Sequence, residues 1–166
     1  GTRSLNEMMK AWILALEGAD APVQVIWRTG KYYEREMQAF LAAHPAANIW
    51  QGAFIDRMDY AYAAADLVLS RSGAGTVSEL CLVAKPCCSC PRPMWPRIIR
   101  PRMPSAGSQG AAVVVPDAEA RTAAMRRAME LLSDKEALRT MSENLEKLAR
   151  PDAAERIVDE IEKVMK

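Results

Sequence analysis

Asp66-Leu67-Val68-Leu69-Ser70-Arg71-Ser72-Gly73-Ala74-Gly75-Thr76-Val77-Ser78-Glu79 reads as a buried strand, a turn of small residues and a helix opening on Thr76. The apolar run Leu67-Val68-Leu69 leads toward Gly73 and Gly75, where a chain without Cβ atoms can turn sharply or lie close to a ligand. A helix starting there aims unpaired N–H groups and the positive end of its dipole into the turn, an arrangement suited to a phosphate or diphosphate. Glu79 stands one turn inside, within reach of hydroxyls on whatever carries those phosphates. Thr76-Val77-Ser78-Glu79 also fits a capping box, in which Thr76 and Glu79 satisfy only each other's backbone donors. The residues alone leave both readings open.

Working outward, Ser4-Leu5-Asn6-Glu7 matches a capping box at the head of an amphipathic helix carrying Leu5, Met8, Trp12 and Leu16 on one face. Val23–Trp27 reads as a strand closed by Thr29-Gly30, and a helix follows from Tyr32 to about Ala43. Asn48–Trp50 is a short strand, with Phe54-Ile55 in the loop after it. Met58–Ala64 is a short helix, and the helix from Thr76 ends near Val83, before Lys85-Pro86. Ala111–Val115 is a strand. Helices follow over Asp117–Leu132, Lys135–Leu148 and Ala153–Met165, with Pro151 breaking the last two apart. Strands alternating with helices predict an α/β fold, a Rossmann-like parallel sheet with helices on both faces. Ligands of such sheets bind at the carboxyl ends of strands, where Gly73 and Gly75 fall.

With 166 residues, half of them hydrophobic, the chain is read as one soluble domain, residues 1–166. A net charge of +1 gives no reason to expect nucleic acid as a partner. No apolar run approaches membrane-spanning length and no signal peptide is visible, which predicts a cytoplasmic protein. The single histidine, His44, speaks against a His-based metal site or a catalytic triad. It reads as a surface residue. Trp12 and Trp27 read as core, and Lys31 as solvated.

Several blocks together carry a family resemblance: Gly1–Asn6, Trp27–Lys31, Phe54–Met58, Ala61–Val68, Arg71–Glu79, Val115–Ala120 and Pro151–Glu155. In that order they resemble the C-terminal half of the MurG family of bacterial peptidoglycan glycosyltransferases. These two-domain GT-B enzymes move N-acetylglucosamine from UDP to a lipid-linked muramyl-pentapeptide, with inversion and without metal or other cofactor. The resemblance implies a hexosyltransferase whose UDP-N-acetylglucosamine donor is held by this half. The backbone of Ile55 would read the uracil edge. The backbone at Ala74, Gly75 and Thr76 would hold the diphosphate, and Glu79 would bond the ribose hydroxyls. Gly1 would be the last glycine of a phosphate loop. The acceptor site and catalytic base belong to the family's N-terminal half, expected to be absent here, so no catalytic residue is assigned in this chain. The fragment is expected to be inactive alone, while the whole enzyme would sit on the cytoplasmic face of the inner membrane. Another GT-B enzyme, such as an epimerase or a glycolipid synthase, is the neighbouring reading. A non-catalytic remnant is the third.

Residues 87–109 depart from the family. Where it has an apolar strand and then Asn-Val-Ala-Glu-Asp-His-Gln-Thr-Lys-Asn-Ala, this chain has Cys87-Cys88-Ser89-Cys90 and a stretch rich in arginine and proline. Five prolines, at 91, 93, 96, 101 and 104, exclude a continuous helix. The genetic code suggests the cause. Read from the third base of each codon, Met94-Trp95 must give GTG (Val), and Trp95-Pro96 must give GCC (Ala). Met103-Pro104 gives GCC again. Codon degeneracy permits the remaining family residues between them, and turns the cysteine stretch into an aliphatic strand. The expectation is a single-base loss near Pro86 and a compensating gain between Met103 and Gly110. The displaced helix carries the family's His-Gln, implied to contact the donor sugar. A zinc site at the cysteines lacks a second ligand cluster or a histidine partner. Cys81 reads as a core residue of its helix.

Overall fold

The computed structural model describes residues 2–90 and 109–165. Within them α1 (Arg3–Ala15) leads to β1 (Val25–Arg28), α2 (Glu34–Ala43), β2 (Ile49–Gly52) and α3 (Met58–Ala64). Then come β3 (Val68–Arg71), α4 (Ala74–Leu82), β4 (Cys87–Cys90) and β5 (Val113–Val114). A 3-10 turn at Asp117–Glu119 opens into α5 (Ala120–Ser133), followed by α6 (Lys135–Leu148) and α7 (Ala153–Val164).

Every strand pairing is parallel, as the alternation of strand and helix required. β1 pairs with β2, Val25 opposite Ile49 and Arg28 opposite Gly52. A second ladder runs β3-β4-β5, with Val68 opposite Cys87 and Cys88 opposite Val113. β4 is the central strand of that ladder, and all four of its residues are buried. Its side chains alternate between faces. Cys88 and Cys90 join a core of Met8, Met9 and Ile13 from α1, Met37 from α2 and Ala124 from α5. Cys87 joins a second core with Leu80 and Cys81 of α4 and Leu145 of α6. Helices therefore cover both faces, as expected for the α/β fold.

The cysteines behave here as small hydrophobes. Burial pushes the thiols of Cys87 and Cys88 up to about 12 and that of Cys90 to about 11, so all stay protonated at neutral pH. Among the described residues no group of three or more His, Cys, Asp or Glu side chains is placed to hold a metal ion. The basic, proline-rich stretch that follows β4 lies outside the described residues, as does Gly1.

The first turn of α1 joins the carboxyl ends of the two ladders. Asn6, fully buried, donates from Nδ2 to the Thr29 carbonyl just past β1 at 3.0 Å and accepts from Trp27 Nε1 at 3.1 Å. Two residues earlier, Ser4 Oγ accepts from Arg71 Nη1 at the end of β3 at 2.9 Å. The capping box predicted at Ser4 is thus not formed: the helix begins at Arg3, with Thr2 as its N-cap and no side-chain cap. Trp27 is core, as expected, and Trp12 packs partly buried against it. α7 ends the chain with Ile157, Val158, Ile161 and Val164 exposed. Among the described residues no helix is long and apolar enough to cross a membrane.

Candidate functional site

The turn after β3 departs from expectation in one respect: α4 begins two residues ahead of Thr76, at Ala74, with Gly73 as its N-cap. Gly73 has φ −72° and ψ 145°, extended backbone open to any residue, so the turn itself does not demand glycine. Nor does crowding among the described residues demand it. A Cβ on Gly75 would meet nothing within 4 Å, and one on Gly73 only Thr76 Oγ1 at 3.7 Å. Among the described residues nothing crowds an added Cβ at Gly75.

Backbone bonding around the turn is nearly self-contained. Gly73 N donates to the Arg71 carbonyl and Val77 N to the Gly73 carbonyl, both at 2.9 Å. The intervening amides of Ala74, Gly75 and Thr76 find no acceptor among the described residues. No side chain caps α4, and its first turn holds no acidic residue. Three donors without a described acceptor therefore stand at an unneutralised dipole end, the condition under which a helix start attracts an anion.

The capping box that is the alternative reading of Thr76 and Glu79 does not form. Glu79 instead accepts a hydrogen bond at Oε2 from the Tyr62 phenol of α3, at 2.8 Å. Burial first, and then that carboxylate, push the phenol up to about 12, so Tyr62 is protonated and donates. Arg28, the last residue of β1, acts on Tyr62 in the opposite direction. Its guanidinium lies 5.0 Å from the centre of the Phe54 ring. Gly30 N donates to the Ala53 carbonyl at 3.1 Å, so the loop holding Phe54 and Ile55 is tied to the end of β1. Gly30 needs its lack of a side chain there, since φ is +84°. Ile55 is half-buried, and neither its N–H nor its carbonyl bonds to another described residue.

Behind the turn, Arg71 is a brace rather than an anion ligand. Its Nη1 donates to Asp117 as well as to Ser4, and it is mostly buried. Ser72 Oγ and Ser89 Oγ lie 2.7 Å apart, tying the turn to β4. Ala74, Gly75, Thr76 and Glu79 thus share one helix, whose Glu79 is bonded to Tyr62 of α3. Tyr62, Arg28 and Asp117 each fall inside a matching block, but none has a role assigned from sequence, and no spacing rule connects α3 to α4 across an intervening strand.

Residues 1–157 match the family model of the Glycosyltransferase family 28 C-terminal domain. A Parabacteroides distasonis protein named UDP-N-acetylglucosamine--N-acetylmuramyl-(pentapeptide) pyrophosphoryl-undecaprenol N-acetylglucosamine transferase is 40% identical over 166 residues, covering 99% of this chain and 45% of its own length. A Porphyromonas gingivalis protein of the same name is 41% identical over 164 residues, covering 98% of this chain and 42% of its own length. The chain thus spans less than half the length of these curated relatives. The crystal structure of Acinetobacter baumannii MurG superposes with a TM-score of 0.81 at 26% identity, over 98% of this chain and 47% of that one. A putative UDP-N-acetylglucosamine 2-epimerase from Listeria monocytogenes, with TM-score 0.64 and 16% identity, shares the fold alone. The chain belongs to the glycosyltransferase family 28 C-terminal domain family.

Proposed function

We propose that this chain is the UDP-N-acetylglucosamine-binding half of an inverting hexosyltransferase that makes the lipid-linked peptidoglycan precursor. The observation that carries the proposal is the set of three amides at Ala74, Gly75 and Thr76, without acceptors among the described residues and on the same helix as Glu79. A diphosphate would take those N–H donors and the dipole end together. Glu79 would accept from the ribose hydroxyls, and the free backbone edge of Ile55 would pair with uracil. Gly1 would close a phosphate loop on the other side. No metal is needed, because the amides and the dipole supply the positive potential.

The acceptor, a lipid-linked muramyl-pentapeptide, and the base that deprotonates it belong to the remainder of the whole protein, at the cytoplasmic face of the inner membrane. This half binds donor and by itself does not turn over. We also propose that residues 87–109 are read out of frame, so the His-Gln that would grip the sugar is missing from this chain. UDP-N-acetylglucosamine then binds no more tightly than UDP.

Isothermal titration of the chain with UDP, UDP-N-acetylglucosamine and uridine tests the reading. Saturable heat is expected with both diphosphates, at similar affinity, and far less with uridine. No saturable heat or thermal shift with UDP would favour the non-catalytic remnant, whose support is the foreign sequence beside the site. Sequencing the DNA across Pro86–Gly110 decides the frame separately, because the shifted frame must encode the Asn-Val-Ala to Asn-Ala helix.

A further inference from the structure

We propose that Tyr62 is a positioning residue, holding the Glu79 carboxylate in the orientation that receives the ribose diol; the inference rests on the donor-binding reading above. Glutamate has three side-chain torsions to fix, and Glu79 is exposed on α4. Among the described residues no cation pairs with its carboxylate, and Tyr62 is that group's single hydrogen-bond partner. The tyrosine itself is held from beneath. Its half-buried ring packs on the core formed by Leu80, Cys81 and Leu145, beside Val68 and Val77. A rigid donor thus fixes a mobile acceptor across 17 residues of sequence, joining α3 to α4 around β3.

The geometry divides the carboxylate's work. A carboxylate offers about four lone-pair sites on two oxygens. Tyr62 takes one on Oε2 at 2.8 Å and leaves Oε1 without a partner among the described residues. A vicinal diol presents two adjacent donors, and it can bond Oε1 and the remaining Oε2 site once the group is held still. Ordering the carboxylate before binding lowers the entropic cost of recognition without a new contact to ligand. Tyr62 therefore acts on affinity through Glu79 and not by touching the nucleotide.

The test compares UDP with 2′,3′-dideoxy-UDP by calorimetry on the 166-residue chain. Variants are Tyr62→Phe, Glu79→Gln and the double substitution, each with a thermal melt. Tyr62→Phe keeps the packed ring and removes one hydroxyl. It is expected to melt with the parent, bind UDP about tenfold more weakly, the scale of one hydrogen bond to a charged group, and bind the dideoxy compound as the parent does. In the double variant the loss should equal that of Glu79→Gln alone, which a purely structural tyrosine would not produce. If Glu79→Gln erases the preference for UDP while Tyr62→Phe retains it in full, the positioning role is overturned and the ribose reading stands. If Glu79→Gln leaves the preference intact, or the parent shows none, both are overturned.

Discussion

Arg71 and Asp117 form an ion pair that closes the gap between the end of β3 and the turn after β5, and the same guanidinium nitrogen reaches Ser4 on α1. Three segments distant in sequence meet at one mostly buried cation directly behind the turn of Gly73. Removing the cation leaves Asp117 half-buried without its counter-charge. Arg71→Met should lower stability by roughly 1–3 kcal/mol in urea unfolding, less than a fully buried pair because both partners keep some solvent. Asp117→Asn should cost less, since it retains an acceptor for Arg71.

Asn6 supports the other half of that edge. Its side chain satisfies the Trp27 indole N–H and the Thr29 carbonyl together, with no solvent to replace it. Asn6→Ala should destabilise by about 2–4 kcal/mol, because a buried donor and a buried acceptor both go unpaired. Asn6→Leu should not rescue it, as the missing partners are polar. Chemical denaturation followed by tryptophan fluorescence measures both.

Gly75 offers a case in which stability and binding separate. It sits in the first turn of α4 with nothing within 4 Å of an added Cβ. Gly75→Ala should therefore hold or raise the melting midpoint, by up to about 1 kcal/mol of helix propensity. The same methyl group would stand where the diphosphate approaches. UDP affinity should fall at least about tenfold, equivalent to the loss of one good hydrogen bond, as read by titration beside a thermal melt.

The buried thiols set an alkaline limit. A cysteine ordinarily titrates at 9.0, while Cys87 and Cys88 in the fold are pushed up to about 12 by burial. Between those values the unfolded chain sheds protons that the folded chain keeps, so stability falls as pH rises. Below 9.0 both states are protonated and this source contributes no slope. Urea midpoints should decline from about pH 9 upward, and the same decline should weaken when Cys87 and Cys88 are replaced by Val. At pH 7 all four cysteines, each buried, should resist an aromatic disulfide reagent until denaturant is added.

Elements were legible where local and tertiary signals agreed. Met58–Ala64 and Lys135–Leu148 fall where the sequence placed them. At the latter, Asp134 caps the helix by accepting from Ala137 N at 2.9 Å. The helix starts misled for a shared reason. Ser4 and Thr76 have the chemistry of N-caps, yet both lie inside helices already opened by Thr2 and Gly73. Ser4 has been taken by Arg71, and the carboxylate expected to complete the Thr76 box by Tyr62. A tertiary partner outcompeted the local one each time. β5 is shorter than the apolar run Ala111–Val115 suggested, since only Val113 and Val114 are in register with β4. At the candidate site, the turn was foreshadowed by its glycines. The Tyr62 support was not, because a crossover connection creates that proximity and leaves no periodic trace.

One strand serves two interiors. Because Cys87 faces one way and Cys88 and Cys90 the other, neither half of the hydrophobic packing has a lining of its own along β4. Loosening one side withdraws contacts from its opposite, so the two cores are coupled through this strand. Heat or denaturant should dismantle the two cores together, and damage at that central strand is felt on both sides at once.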